Sequence, residues 1–339
     1  MNDRIMRALR REPVDATPVW FMRQAGRSLP KYRHSRAARE MLELLRDPPA
    51  AAEITRMPLD YFPVDALVLY NDLSTPYFGA GFQLEMHRGV GPVVLNPIEG
   101  PDDVARMTPF DPRVTLDYNL EQIRLLRTQV DVPVLGFVGA PVTLATYLLR
   151  GGRARDLASL KTFMWRHTDA WHRLADFWAR HMAEFGVAQH EAGAAAVQVF
   201  DSWAGSLAVE DYREFVLPHM RTIFGRLAEA GVPSINFYTG NPGLLPLVAE
   251  AGGDCISVDW RLPIDIAWSI IGYDRAIQGN LDPSALLAGK EFALRRTKQI
   301  LDRVAGRPGH IFNCGHGLHA ETDHHVVRAV AEFVHEYTG

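Results

Sequence analysis

Six basic residues fall within the seventeen positions from Arg23 to Arg39: Arg23, Arg27, Lys31, Arg33, Arg36 and Arg39, with no acid before Glu40. The whole chain carries 36 Lys and Arg against 40 Asp and Glu, a net charge of −4. A mildly acidic protein that gathers cations in one place either holds an anion there or pairs them with its own acids. Five of the six are arginines, whose planar forks favour carboxylate or phosphate recognition over a diffuse basic surface. The stretch opens with the apolar run Pro18-Val19-Trp20-Phe21-Met22 and then turns basic and glycine-containing at Arg23-Gln24-Ala25-Gly26-Arg27. Gly26 and Pro30 work against a helix, so Arg23 and Arg27 are expected in a loop at the C-terminal end of a buried strand.

Further candidates lie elsewhere in the chain. Asp72 follows the apolar run Ala66-Leu67-Val68-Leu69-Tyr70, so its carboxylate should be partly desolvated and in need of a cation or of N–H donors. A purely structural salt bridge to Arg23 or Arg27 would serve equally well. His316 sits between Gly315 and Gly317, which lets an imidazole approach a ligand closely; a solvated loop histidine is the alternative. Cys314 and His316 form a C-x-H pair, and Cys255 would complete the protein ligands of a catalytic zinc site, a weak pattern at this spacing. Asp323 beside His324 and His325 reads better as an acid in the first turn of a helix. There is no H-E-x-x-H, Walker loop, G-x-S-x-G elbow or EF-hand pattern.

Elements must hold these residues in place. Short apolar, β-branched runs are expected as strands at Val19–Met22, Ala66–Tyr70, Val132–Val138, Ala195–Phe200, Ser234–Tyr238, Cys255–Asp259, Arg275–Gln278 and His310–Asn313. Helical patterns lie between them at Ala50–Leu59, Leu116–Val130, Leu157–Glu184, Val209–Ala230, Leu244–Ala251 and Phe292–Val304. Such alternation predicts an α/β fold, a single (β/α)8 TIM barrel spanning residues 1–339. An open doubly wound sheet fits less well, because the first βα turn has no G-x-G-x-x-G. Nearly every expected strand ends in polar or glycine-rich residues, from Arg23-Gln24 and Asn71-Asp72 through Asp201-Ser202 and Asp259-Trp260 to Cys314-Gly315-His316-Gly317. In a barrel those ends share one rim. Trp165, Trp171 and Trp178, with Phe163 and Phe177, are expected to be core, or failing that a contact between copies.

The totals exclude several classes. A hydrophobic content of 47% and a charged content of 22% describe an ordinary globular chain. No run approaches the ~18 apolar residues of a membrane helix, and Met1–Arg11 has no apolar core of a secretory leader. Cys255 and Cys314 cannot make a disulfide framework, so a reducing, cytoplasmic setting is expected. Nothing in the charge pattern supports nucleic-acid binding.

The strand-end motifs resemble the uroporphyrinogen decarboxylase family from about Asn2 to the C-terminal helix. Those that carry the resemblance are Pro18–Arg27, Gly136-Phe137-Val138-Gly139-Ala140-Pro141-Val142-Thr143-Leu144, Gln278-Gly279-Asn280-Leu281-Asp282-Pro283 and Asn313-Cys314-Gly315-His316-Gly317. The resemblance implies one barrel, usually a homodimer, with no cofactor and no metal. The implied reaction converts the acetate side chains of uroporphyrinogen III to methyls, giving coproporphyrinogen III and CO₂. Matching positions imply that Arg23, Arg27 and Arg36 hold substrate carboxylates, with Gln24, Ala25 and Gly26 assisting, and that Asp72 accepts hydrogen bonds from the pyrrole N–H groups. Tyr147, Ser202 and His316 match further substrate contacts, and Arg23 or a bound water is the candidate proton donor. Ser28 stands where the family has Tyr, Val142 where it has Trp, and Cys314 where it has Leu, while Gly151-Gly152-Arg153-Ala154-Arg155 lacks a common lysine. Two alternatives remain: a zinc- or corrinoid-dependent methyltransferase of the same superfamily, and a non-catalytic binder of anionic tetrapyrroles. The former has His-x-Cys where this chain has Phe237-Tyr238-Thr239-Gly240.

Overall fold

Apolar, β-branched runs pair side by side in the computed structural model, which describes residues 2–87, 91–149 and 157–337. In chain order the strands are β1 (Leu67–Val68), β2 (Leu84–His87), β3 (Gly91–Val94), β4 (Val134–Gly139), β5 (Ala196–Gly205), β6 (Ser234–Gly240), β7 (Cys255–Ser257), β8 (Ala276–Gln278) and β9 (His310–Ile311). Seven form one parallel, curled sheet in the order β1-β4-β5-β6-β7-β8-β9. Every residue of β4 is buried, as a strand covered on both faces requires. The antiparallel hairpin β2–β3 stands apart from this sheet and was not expected.

The expected first strand is shorter than its apolar run suggests. Only Val19 makes a bridge, parallel to Phe312 just beyond β9. Phe312 N–H donates to Pro18 O at 2.8 Å, and Asp65 N–H, two residues before β1, donates to Val19 O at 2.8 Å. The segment therefore touches both outer strands of the sheet.

Helices cover the sheet. The helix Thr168–Ala192 packs on β4 and β5 and buries Trp171 and Trp178 completely. Burying a large side chain of this kind contributes roughly 2–3 kcal/mol. Trp165 corrects the core expectation: it is 54% exposed, and its indole N–H donates to Asp211 at 3.0 Å. The single expected helix Leu157–Glu184 is two, Ala158–Arg166 and Thr168–Ala192, parted at His167. Val209–Ala230 is likewise two, Val209–Phe215 and Leu217–Glu229, because Pro218 has no N–H to continue the first.

Proline also corrects the basic segment. Pro30 does not prolong a loop but takes the first position of a helix, Pro30–Ala38, where its missing N–H costs nothing. Lys31, Arg33 and Arg36 are thus helical, and only Arg23 to Leu29 remain a turn.

At the opposite end of the strands lies a buried carboxylate. Asp65 accepts from Val19 N–H at 2.7 Å, Asn2 Nδ2 at 2.7 Å, Arg4 at 3.0 Å and His335 Nε2 at 2.7 Å. His335 belongs to the helix His324–Glu336, so one side chain fastens the chain's start, its first apolar segment and its last helix. Among the described residues, no helix is long and apolar enough to cross a membrane.

Candidate functional site

Parallel strands bring their C-terminal ends to one rim, and backbone and side-chain hydrogen bonds stitch neighbouring ends together there. Leu318 N–H donates to Met22 O at 2.9 Å, and Met22 N–H to Asn313 Oδ1 at 3.2 Å. Asn280 Nδ2 donates to Asp259 O at 2.9 Å, Gly240 N–H to Asp259 Oδ2 at 2.8 Å, and Thr239 Oγ1 to Ser202 O at 3.3 Å. Ser202 N–H donates to Thr143 Oγ1 at 2.9 Å, and Tyr77 Oη to Leu144 O at 2.7 Å, holding the turn after Asp72 against the helix Pro141–Leu148. Gln24 Nε2 donates to Ala66 O at 3.0 Å, linking the arginine turn to the segment entering β1.

Arg23 and Arg27 are exposed and have no ion-pair partner among the described residues. Arg23 has φ 63°, in the left-handed region that non-glycine residues seldom occupy, a strain often found at functional sites. The other cations are largely spoken for. Lys31 pairs with Asp60 at 2.5 Å and Arg39 with Asp47 at 2.7 Å, while Arg33 donates to the backbone of Arg27 and Ser28. Arg36 donates to Arg39 O and lies 3.8 Å from Glu40. The basic cluster is thus two things: a helix and its end whose cations mostly have partners elsewhere in the protein, with Arg36 the most loosely held, and a turn with two open guanidiniums.

Gln24 is fully buried, its Oε1 accepting Phe21 N–H at 3.0 Å while its amide holds Ala66. Its side chain shapes the turn rather than facing the rim. Ala25 and Gly26 are half-buried within that turn.

Asp72 is half-buried, and no salt bridge to Arg23 or Arg27 forms. One of its oxygens accepts Ser74 N–H at 2.9 Å and the Ser74 hydroxyl, which fixes the carboxylate in a local turn. Tyr147, on the helix after β4, senses both ends of the site. Burial raises its phenol most, the Trp203 indole opposes that, and the negative charge of Asp72 and positive charge of Arg23 then act in opposite directions. Ser202 is half-buried near the end of β5.

His316 stands at the centre of the rim's cationic side. Burial, then the positive charges of Arg23, His319 and Arg261, pull its imidazole down to about 4, so it is neutral at pH 7. Its Nδ1 accepts Gly317 N–H at 2.7 Å, which leaves the proton on Nε2 as a donor. The glycines on either side have a packing reason that the sequence did not reveal. A Cβ on Gly317 would lie 2.4 Å from Arg23 Cδ, and one on Gly315 would lie 2.7 Å from Asp259 Cα.

Two groups escaped the sequence reading. Asp201 was seen as a strand end beside Ser202 but given no role. It is wholly buried, one oxygen accepting the Thr143 hydroxyl at 3.1 Å, the other without a partner among the described residues. Burial raises it to about 7, against Thr143 and the N–H groups of Ala204 and Trp203. Arg261 follows Asp259-Trp260, and an arginine right after a polar strand end was the available signal.

The zinc pattern does not assemble. Cys255 begins β7, whereas Cys314 follows β9, so they occupy opposite ends of a parallel sheet. Among the described residues, only Asp323, His324 and His325 bring three metal-type donors within 4.8 Å of one another. There Asp323 caps the helix by accepting His325 N–H at 2.9 Å, one position before its first turn. The departure at Gly151–Arg155 lies outside the described residues.

A model of the family described as uroporphyrinogen decarboxylase matches residues 1–337. A protein of Chloroflexus aggregans named uroporphyrinogen decarboxylase is 46% identical, over 99% of this chain and 96% of its own. Its namesakes in Roseiflexus sp. and Thermus thermophilus are 46% and 43% identical, over 99% of this chain and 99% and 98% of theirs. Among solved structures, a methyltransferase from Methanosarcina mazei superposes with a TM-score of 0.82 at 20% identity, covering 98% of this chain and 97% of its own, a likeness of fold.

Proposed function

The chain belongs to the uroporphyrinogen decarboxylase family and is a carboxy-lyase that turns the acetate side chains of uroporphyrinogen III into methyls, and we propose that Asp72 and Arg23 are its catalytic residues. The observation that carries this assignment is the pairing of an unbridged carboxylate with unpaired guanidiniums on one rim. A site meant only to hold a polyanion gains nothing from Asp72. A pyrrole that must become cationic does.

Each acetate loses CO₂ and gains one proton in its place. A proton added to the pyrrole carbon beside the acetate-bearing one makes the ring an iminium cation. The electrons of the breaking C–CO₂ bond flow into that cation, leaving an exocyclic methylene. Protonation of the methylene and loss of the ring proton then give the methyl-substituted pyrrole. The substrate's own ring serves as the electron sink, a task often given to a cofactor. Asp72, already fixed by Ser74, accepts the pyrrole N–H groups and stabilises their developing charge without reorganising. Arg23, Arg27 and Arg36 bind peripheral carboxylates, with the backbone of Gln24, Ala25 and Gly26 shaping the turn between them. Tyr147, Ser202 and the Nε2–H of His316 donate to others. The ring proton comes from Arg23 or from a bound water.

The fold completing this site is a single (β/α)8 barrel over the whole chain, with the Val19 segment as the eighth stave between β9 and β1. Its hydrogen bonds to Phe312 and Asp65 support that closure. The working form is a cytoplasmic homodimer that needs no cofactor. The methyltransferase alternative gains no support, since β6 ends in Tyr238-Thr239-Gly240, without thiol or imidazole.

Anaerobic incubation of metal-free protein with uroporphyrinogen III, followed by chromatography after oxidation, tests the reading. Stepwise products from hepta- to tetracarboxylate are expected, falling by about 10²- to 10³-fold in rate for Asp72→Asn. Tight binding without turnover in the wild type would leave only the binding-protein alternative.

A further inference from the structure

The two glycines around His316 each make room for a different neighbour, and both neighbours carry an arginine. Arg23 lies over Gly317, its Cγ, Cδ and Nε all within 3 Å of where a Cβ would stand. Gly315 rests on the turn after β7, where a Cβ would come 2.7 Å from Asp259 Cα and 3.0 Å from Trp260 N. The next residue in that turn is Arg261, and its positive charge, like that of Arg23, reaches His316.

Arg261 is built into place. Its guanidinium lies 4.6 Å above the Trp260 ring, and one of its nitrogens donates to Asp259 Oδ2. Asp259 is itself buried and fixed by Gly240 N–H at 2.8 Å and Arg261 N–H at 2.9 Å. A guanidinium has five N–H donors, and Asp259 takes one of them here. The side chain is still 46% exposed. A stacked, half-paired arginine of this kind is pre-organised for a second carboxylate at little entropic cost.

We propose that Arg261 is a further substrate-binding residue: with Arg23 and the Nε2–H of His316 it clamps one peripheral carboxylate of the tetrapyrrole. The proposal rests on the decarboxylase reading of the same rim and adds a third strand end to its anion-binding side. Asp259 and Trp260 then act as positioning residues for Arg261. Asp259 already balances part of the charge on Arg261, and an anion between the two arginines offsets the repulsion that remains between them.

Calorimetric titration with uroporphyrin III, an air-stable octacarboxylate, tests it on the full-length protein beside turnover of uroporphyrinogen III. Arg261→Met keeps the stem over Trp260 and removes the charge. It should weaken binding and raise KM about tenfold while kcat changes little, with Arg261→Lys intermediate. Arg303→Met, which removes a surface arginine paired with Asp265, is the charge control and should change neither. Unchanged affinity and KM in a folded Arg261→Met protein would overturn the clamp while leaving the decarboxylase reading intact. So would a loss matched by Arg303→Met, which would signal a general charge effect. A wild-type protein that binds uroporphyrin but never turns over uroporphyrinogen would instead remove the decarboxylase reading, and the binding comparison would still decide Arg261.

Discussion

Arg23 lies directly across Gly317: a Cβ at 317 would sit 2.4 Å from Arg23 Cδ and 2.9 Å from its Nε. The arginine turn that begins the chain's chemistry and the imidazole loop that ends it are therefore packed as one unit. Leu318 N–H, donating to Met22 O at 2.9 Å, closes the same contact through the backbone.

Gly317→Ala should consequently act through Arg23. The arginine must swing away, because the clash involves its stem and not a movable tip. A loss of about 10- to 100-fold in kcat/KM is expected, equivalent to roughly 1.4–3 kcal/mol. The melting temperature should fall by only a few degrees. Steady-state kinetics with a thermal melt would check this, and full activity in Gly317→Ala would show that Arg23 has no fixed place in the reaction.

His316 should contribute as a neutral donor. Its imidazole is held near 4, below the ordinary 6.5, so the native ring stays unprotonated throughout the working range. Any stability linked to this shift is fully present above 6.5 and is lost as pH falls from there through 4. His316→Gln, which retains an N–H, should keep most of kcat/KM. His316→Leu should lose about tenfold or more. Neither should alter the shape of the pH–rate profile between pH 5.5 and 8. A limb in that range that vanishes in His316→Gln would mean that the imidazole titrates after all.

Legibility in the sequence followed the type of signal. Parallel strands were visible because each is a short β-branched run, and β4 to β6 occur close to where those runs stand. Helix breaks were harder. Val209–Ala230 has one uninterrupted apolar period, yet Pro218 divides it, and the period outweighed the proline. Pro30 was misread the other way, since the same residue that ends a helix can begin one. The rim was legible as a set of polar strand ends, but which of them face inward was not. Gln24 and Asp201 look as available as Ser202 on paper, and burial alone separates them. Periodicity does not encode a close approach such as Gly315 on Asp259, which depends on two segments 56 positions apart.

Asp201 should make the protein less stable as pH rises. Its buried carboxyl is raised from 3.8 to about 7, so between those values the native state keeps a proton that the unfolded chain has released. Stability therefore falls through this window and levels off above 7, by an amount on the order of 4 kcal/mol at most. Asp201→Asn resembles the protonated form and keeps a partner for Thr143. It should be close to neutral at pH 4 and stabilising at pH 8, as read by urea denaturation at both. The same pH slope in wild type and variant would place the proton elsewhere.

Asp65 and Asp72 stand at opposite ends of one strand, β1, and should fail in opposite ways. Asp72 faces the rim where strands end; Asp65 precedes β1 and is buried beneath four donors from Asn2, Arg4, Val19 and His335. Burial works to raise Asp65, but His335, Asn2 and Val19 N–H prevail and hold it below its ordinary value. Its stabilising share is thus present above the usual carboxylate range and is lost as pH falls through the lowered native value. Asp65→Ala leaves the Val19 N–H, the Asn2 amide and the His335 imidazole without their shared acceptor, while Arg4 keeps its bonds to Asp15, at a cost of about 3–5 kcal/mol. Because the knot lies at the far end of the strands, whatever protein remains folded should turn over with wild-type kcat. Urea denaturation and kcat at 15 °C would separate the two effects. A fall in kcat without loss of stability would mean that the ends of β1 are coupled, and that the carboxylate at Asp72 owes its position to the one at Asp65.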